Sequence, residues 1–534
     1  MKNWNRREFM LAAAAAGSLS GQGVANPRIG VVRSTHAKLP KPSPVEDKLD
    51  YERVRDMVWK AIEYGRPRAG SLEQKIRPSS WVVIKPNIVT LRPSSGYRTG
   101  DITDFRVTKA VVEYVARRSK AARITVAEGG TYRRPGDPAK DNVHVQNGVH
   151  VDARTFDWGT EEFPGFGGSL NGMLAGFAAG FPNHKFDYVD LSYDAVRDAS
   201  GKFRRIAVPR AAGGVGAFAE KQEYFVTNTI TNCDFLISVP VMKVHEQCGI
   251  TVCFKNYVGT APREAYAEPG SFSNGILHKE HSVDERIDPF IADLAAFHPP
   301  DYNVVDALRG LQYTEHNNNR PDQMIQSNLI MAGEDTVAMD ALAARLMGFN
   351  VPDIEFLHMA AARGLGQMDL NKVQVSGDDP GSFERRWIRP RMWYGRCNRE
   401  WLVSGDAGRP LAAWSRYRSP VDTLRFQKCL PETRVAEATF GAAAKVQSQG
   451  NQKTYLWVGF RGKLNVMLNG EQVMSEENVT RYRVGQFRKP VELRPGENLL
   501  VFRVQAPPER AQLSALLVDR YNEGDSVEGI RWFA

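Results

Sequence analysis

The spacing of apolar residues changes character along this chain, and each change marks a different kind of element. Over residues 47–66, Tyr51, Val54, Met57, Val58 and Ile62 recur at helical steps, which predicts one amphipathic helix. "WVVIKPNIV" (81–89) is a compact apolar strand stopped by Lys85-Pro86-Asn87. Thr103 or Asp104 caps a helix whose Val107, Val111, Tyr114 and Val115 share a face, and "ITVAEGG" (124–130) is the next strand. Strand, helix and strand at this spacing predict a parallel sheet. Residues 131–225 are irregular and rich in Gly, Asp and aromatics, so they read as an insertion over the sheet, with a strand pair near 186–210 and a plausible role as a lid. Strands return at "DFLISVP" (234–240), "YNVVDAL" (302–308), "NLIMAG" (328–333) and "KVQVSG" (372–377). Asp335 caps a helix over 336–347, and Asp353 caps another that Gly364 closes.

From residue 431 the period becomes two. "KTYLWVGF", "KLNVMLNGEQV", "KPVELRPGENLLVFRVQ" and "LSALLVD" alternate apolar with polar positions, and Asn469-Gly470 and Pro495-Gly496 supply hairpin turns. The expected fold is therefore α/β, a mostly parallel sheet with flanking helices, followed by an antiparallel β-sandwich. "VMLNGEQV…LRPGENLLVFRV" resembles the galactose-binding-like jelly-roll modules attached to many extracellular enzymes. That resemblance implies a fold; sugar binding and a packing or assembly role stand equal, and Trp457 and Trp532, read as exposed, do not separate them.

At 534 residues the chain exceeds what one core serves, in keeping with two domains: 26–377 for the α/β core and 431–534 for the sandwich. Apolar content of 42% and charged content of 25% are those of a globular protein. The net charge of +9 is unevenly placed, because residues 378–430 hold ten Arg and one Lys against six acids. With no basic helix or nucleic-acid motif beside it, that stretch reads as a solvated linker, and no nucleic-acid partner is expected. No run reaches the ~20 apolar residues of a transmembrane helix. Cys233, Cys248, Cys253, Cys397 and Cys429 are sparse, odd in number and without iron–sulfur spacing.

The first 25 residues change the setting. Arg6-Arg7-Glu8-Phe9-Met10-Leu11, followed by a short alanine-rich stretch and the small residues Gly23-Val24-Ala25, resembles the twin-arginine export signal. It implies the export machinery as a partner, cleavage near Ala25, and work in the periplasm or outside the cell. Such export carries folded chains, often with a cofactor inserted. The cofactor here is unknown, a metal ion being one candidate.

Candidate chemistry lies where strands end. In open parallel sheets ligands bind beyond the carboxyl ends of the strands. Here those ends carry Lys85 and Asn87, Glu128, Lys243 and His245, and Asp306. In extended chain Lys243 and His245 share a face, and Lys255-Asn256 follow on a segment that turns back as a short helix closed by Gly259. Clustered ammoniums lower one another's pKa and suit a carboxylate, a phosphate or an enolate. His245, titrating nearest neutrality, is the choice for proton transfer, with Lys243 and Lys255 beside it. Lys85, Asn87, Asn256, Glu128 and Asp306 are the expected ligand-binding groups, Glu128 and Asp306 also as cation ligands.

"VVIKPNIV", "ITVAEGG", "LISVPVMKVHEQCGITVCFKNYVGT", "YNVVDALRGLQ" and "IMAGEDTVAMDALAARLMGF" follow in order the pattern of the domain-of-unknown-function 362 family, over about residues 80–377. The resemblance implies little chemistry, since the family is largely without assigned reactions. Some members carry ferredoxin-like modules whose cysteines this chain lacks, so electron transfer is not implied. The residues leave two functions open: an exported enzyme acting on a small anionic or carbohydrate-derived substrate, and a non-catalytic periplasmic ligand- or glycan-binding protein.

Overall fold

The computed structural model describes residues 26–34, 49–68, 70–89, 100–130, 168–268, 273–316, 320–433 and 436–534, with short pieces between 134 and 163. The expected signal peptide and most of 131–167 lie outside the described residues. The chain divides into two compact units, residues 1–348 with 356–388, and residues 349–355 with 389–534.

In the first unit, β1 (Arg28–Arg33), β2 (Trp81–Pro86), β3 (Arg123–Glu128), β4 (Lys185–Asp190), β5 (Phe235–Val239), β6 (Tyr302–Leu311), β7 (Met324–Gly333) and β8 (Gln374–Gly377) form one sheet. The order is β8-β1-β7-β6-β5-β2-β3-β4, and β7 alone runs against its neighbours. Val82, Val83, Ile84, Ile237 and Val304 are sealed on both faces, as expected for strands written as unbroken apolar runs. Helix α1 (Tyr51–Tyr64) is capped by Asp50, whose carboxylate accepts from Arg53 N at 2.9 Å. Helix α2 (Phe105–Arg118) starts at Asp104, which accepts from Arg106 N at 2.9 Å, and α3 (Thr336–Leu346) starts at Asp335, which accepts from Ala338 N at 2.9 Å. Val54, Val58 and Ile62 of α1 are buried, each contributing about 1.5–3 kcal/mol. α1 lies so close to β1 that a Cβ on Gly30 would stand 2.0 Å from the Ala61 carbonyl oxygen.

Two expectations fail. The strand pair near 186–210 is not formed: β4 instead extends the main sheet beside β3, and Arg205–Ala207 pairs with Glu223–Phe225. The half-polar sequence of β4 concealed a sheet-edge strand, whose outer side needs no apolar cover. Asp353 does not act as a helix cap; its carboxylate accepts from Ser526 N at 2.8 Å within the second unit.

The second unit is antiparallel. One sheet is built from 415–418, 400–404, 438–448, 496–506, 462–468 and 471–479, with 530–533 on the strand 438–448; another holds 424–425, 512–520, 452–460 and 487–493, with 523–526. Trp401, Phe440, Leu456, Phe460, Leu464 and Phe502 fill the core of this unit. Asn469 and Gly470 have φ of 53° and 88°, the left-handed pair a tight hairpin requires. The stretch 378–430, expected as a linker, is structured. Its Glu400–Ser404 strand pairs with Ala438–Ser448, and Trp401 is fully buried. Two of its arginines are paired with acids: Arg389 with Asp525 at 2.8 Å, and Arg399 with Asp422 at 3.0 Å. Trp457 is buried, contrary to expectation, with the Arg488 guanidinium 3.7 Å over its ring, and Trp532 is half-buried against the core.

Candidate functional site

The parallel strands β2, β3, β4 and β5 finish in adjoining registers, so their last residues stand side by side: Lys85 opposite Ser238, and Glu128 opposite Asp190. Lys85 and Glu128 form a buried ion pair. The Lys85 amine also donates to Asn256 Oδ1 at 2.9 Å and to the Pro86 carbonyl at 3.2 Å. Asn256 Nδ2 in turn donates to the Lys85 carbonyl and to Ser238 Oγ, each at 3.0 Å, and ties the ends of β2 and β5 together. Burial pushes the Lys85 amine down and the Glu128 carboxyl up, each offset by the other's charge. Gly259 closes over this pair. A Cβ there would lie 2.3 Å from Glu128 Oε1 and 2.8 Å from Lys85 Nζ.

Beyond β5 the chain is held to β6, as Met242 N donates to the Asp306 carbonyl and Asp306 N to the Pro240 carbonyl, both at 2.8 Å. The next residues form a short hairpin, 243–245 with 249–251, that carries Lys243 and His245 on one face. Lys243 Nζ donates to the Asp101 carbonyl at 2.5 Å. Burial lowers the Lys243 amine to about 8. His245 Nδ1 accepts from Gln247 N at 3.2 Å, which places the proton on Nε2, 3.3 Å from Glu315 Oε1. Burial, then Lys255 and Lys243, hold this imidazole well below its ordinary pKa and therefore neutral. Glu315 is itself fixed by Glu246 N at 3.1 Å and Thr314 Oγ1 at 3.3 Å.

Lys255 opens the 3-10 turn Lys255–Thr260. The turn is anchored from α3, where Asp340 accepts from Cys253 N at 2.8 Å and Phe254 N at 3.0 Å. Lys255 is half-buried, and among the described residues it makes no hydrogen bond or ion pair. Burial lowers its amine; Cys248 and Glu315 oppose this, and Arg263 adds to it. Its charge is felt by Lys85, Lys243, His245, Cys248, His278 and His316, which makes it the electrostatic centre of the group.

The structure brings together six of the eight residues expected at the strand ends. Lys85, Glu128, Lys243, His245, Lys255 and Asn256 are coupled by contact or charge. Asn87 is buried nearby, its backbone bonded to Thr103 and its Oδ1 without a hydrogen-bond partner among the described residues. Asp306 belongs elsewhere. It accepts from Asp104 N at 2.7 Å and Leu308 N at 2.9 Å, and burial with the Asp104 charge raises it to about 7. Glu128 and Asp306 thus do not converge with His245 as cation ligands; among the described residues no group of three His, Cys, Asp or Glu side chains is placed to hold a metal. The sequence reading missed Glu315, His316, His278, Arg263 and Asp190. Arg263, buried and lowered to about 10 by burial, faces Glu128 and Asp190, and burial raises Asp190 to about 7. A separate cavity of about 330 Å³, lined by Asn26, Arg68, Asp335, Gln367 and Lys372 among others, contains none of these side chains.

The model of the family described as "Domain of unknown function (DUF362)" matches residues 193–345, which include Lys243, His245, Lys255, Asn256 and Asp306; Lys85, Asn87 and Glu128 fall outside the match. Comparison with curated proteins gave no match. Among solved structures, the chain is similar to the lactate racemase apoprotein from Thermoanaerobacterium thermosaccharolyticum, at 12% identity and TM-score 0.28 over 55% of each chain. A family 35 carbohydrate binding module from Clostridium thermocellum matches at 12% identity and TM-score 0.16, covering 23% of this chain and 95% of the module. A β-glucosidase from Kluyveromyces marxianus matches at 9% identity and TM-score 0.19, over 23% of this chain and only 16% of its own length. Likenesses this distant assign no activity.

Proposed function

We propose that the α/β unit is an enzyme of an exported protein that moves a proton on a small anionic or carbohydrate-derived substrate at the ends of its parallel strands. The observation that carries this reading is the Lys255 amine: half-buried, without a hydrogen bond among the described residues, and coupled to the charges of Lys243 and Arg263. Glu315 lies within range of its charge, but among the described residues no anion pairs with it directly, and a substrate carboxylate or an enolate formed from it would do so. Lys243, with one donor spent on a carbonyl, would hold the same group. His245 is the proton acceptor. Glu315 fixes its tautomer at Nε2, and Nδ1 would exchange its 3.2 Å local bond for the substrate's proton. Lys85, Glu128 and Asn256 brace the rim beneath. The cofactor stays unassigned, and the sandwich unit is given no ligand.

One observation favours a second reading, capture without reaction: both ring nitrogens of His245 already have partners. The two readings separate when deuterium uptake from D2O into the C–H beside a carboxylate is followed by NMR alongside calorimetry on the same acids. Uptake lost in His245→Gln with melting unchanged supports the enzyme. Binding with no uptake supports the binding protein.

A further inference from the structure

Three lysines stand at this rim, and they are not equivalent. Lys85 is 2% exposed and locked to Glu128 and Asn256; Lys243 is 1% exposed and donates to the Asp101 carbonyl. Lys255 is only half-buried, and among the described residues nothing holds its nitrogen. Its charge is opposed by the Cys248 thiol and Glu315, shared with Arg263, and felt in turn by Lys243, His245, His278 and His316. Desolvation and neighbouring cations are the two conditions that turn an ammonium into a free, nucleophilic amine.

We infer that Lys255 forms an imine with a substrate that carries both a carbonyl and a carboxylate, a 2-oxo acid, while Lys243 holds the carboxylate. This rests on the anion-site reading above and names its substrate class. In the step, the Nζ lone pair attacks the carbonyl carbon and a proton passes from nitrogen to the former carbonyl oxygen. The resulting carbinolamine then loses that hydroxyl as water, its second proton coming from the same nitrogen, leaving carbon doubly bonded to Nζ. Nothing is oxidised or reduced. The imine withdraws electrons from the adjacent carbon, so the proton taken there by His245 leaves more readily, which joins the two parts of the site in one reaction.

The test uses the full chain at pH 7, incubated separately with glyoxylate, pyruvate and 2-oxoglutarate and then with sodium borohydride, whose hydride fixes an imine as a secondary amine. Intact mass should rise by the mass of the acid less one oxygen atom, and peptide mapping should place the adduct on Lys255. The yield there should exceed that on exposed lysines such as Lys120 several-fold. An adduct spread over exposed lysines, or none with any of the three acids, would overturn the inference. Deuterium uptake into lactate, which has no carbonyl to trap, is measured in parallel: uptake that depends on His245 without any Lys255 adduct refutes the imine and leaves the proton-transfer reading standing. Loss of both refutes both.

Discussion

The two units bury charge in opposite ways. In the sandwich unit, the buried Arg389 guanidinium meets Asp525 at 2.8 Å and lies 3.6 Å over the Phe349 ring, and Arg399 is shared by Asp422 and Glu355 at 3.0 Å each. These charges are paired within the fold. In the α/β unit Lys85 is paired as tightly, but Lys243 has only a carbonyl, and Lys255 has neither hydrogen bond nor ion pair among the described residues. Paired buried charges serve architecture, and removing one partner is costly. A cationic group left without its anion lowers stability and persists where it meets something from outside.

The contrast can be broken at several points. The largest effect is expected at the rim: Lys255→Met and His245→Gln should each lower proton transfer by about 10²–10⁴-fold. Thermal melting should shift by no more than about 1 kcal/mol equivalent. Melting losses as large as those of a buried Leu→Ala change would make these residues structural. Next, Arg389→Ala strands Asp525 in the sandwich and should cost about 3–5 kcal/mol in urea unfolding while proton transfer per folded molecule is unchanged. A cost near zero would show that this pair is not buried as described. Gly259→Ala drives a methyl into the Lys85–Glu128 pair and should cost about 1–3 kcal/mol, with weaker anion binding read by calorimetry.

The smallest effect is a pH signature. The folded Lys243 amine titrates at about 8 against 10.5 for the free group, so between those values the unfolded chain binds more protons than the folded one. Stability should therefore rise as pH climbs from about 8 to 10.5, by on the order of 1–3 kcal/mol. Below 8 both states are protonated and the burial cost is present in full. Lys243→Met should flatten that rise and melt no lower at pH 7. An unaltered profile would mean that the amine is hydrated in the fold.

What was legible in the sequence follows from which residues are sealed on both faces. β2, β3 and β5 are unbroken apolar runs, so Lys85 and Glu128 could be placed at strand ends, whereas Lys243 and His245 lie on a hairpin of their own beyond β5. β6 was read as ending at Leu308, whereas it runs to Leu311. The strand-end rule therefore selected Asp306, in mid-strand, and passed over Glu315-His316 just past the true end. Arg263, His278 and Asp190 gave no local signal, since their place depends on how later segments fold back over the sheet. In the sandwich unit the period-two pattern was plain from 438 onward. Ten arginines masked the strand Glu400–Ser404, because composition was weighed ahead of the buried Trp401 and Val403.

Competitive labelling with trace acetic anhydride at pH 7, with modification of each lysine quantified by mass spectrometry, asks most directly whether the strand ends hold an amine awaiting an anion. Lys255 should acetylate several-fold faster than the exposed Lys120, and added pyruvate or malonate should suppress that reaction while leaving Lys120 unchanged. A Lys255 that reacts no faster than Lys120, or that no small acid protects, would contradict it.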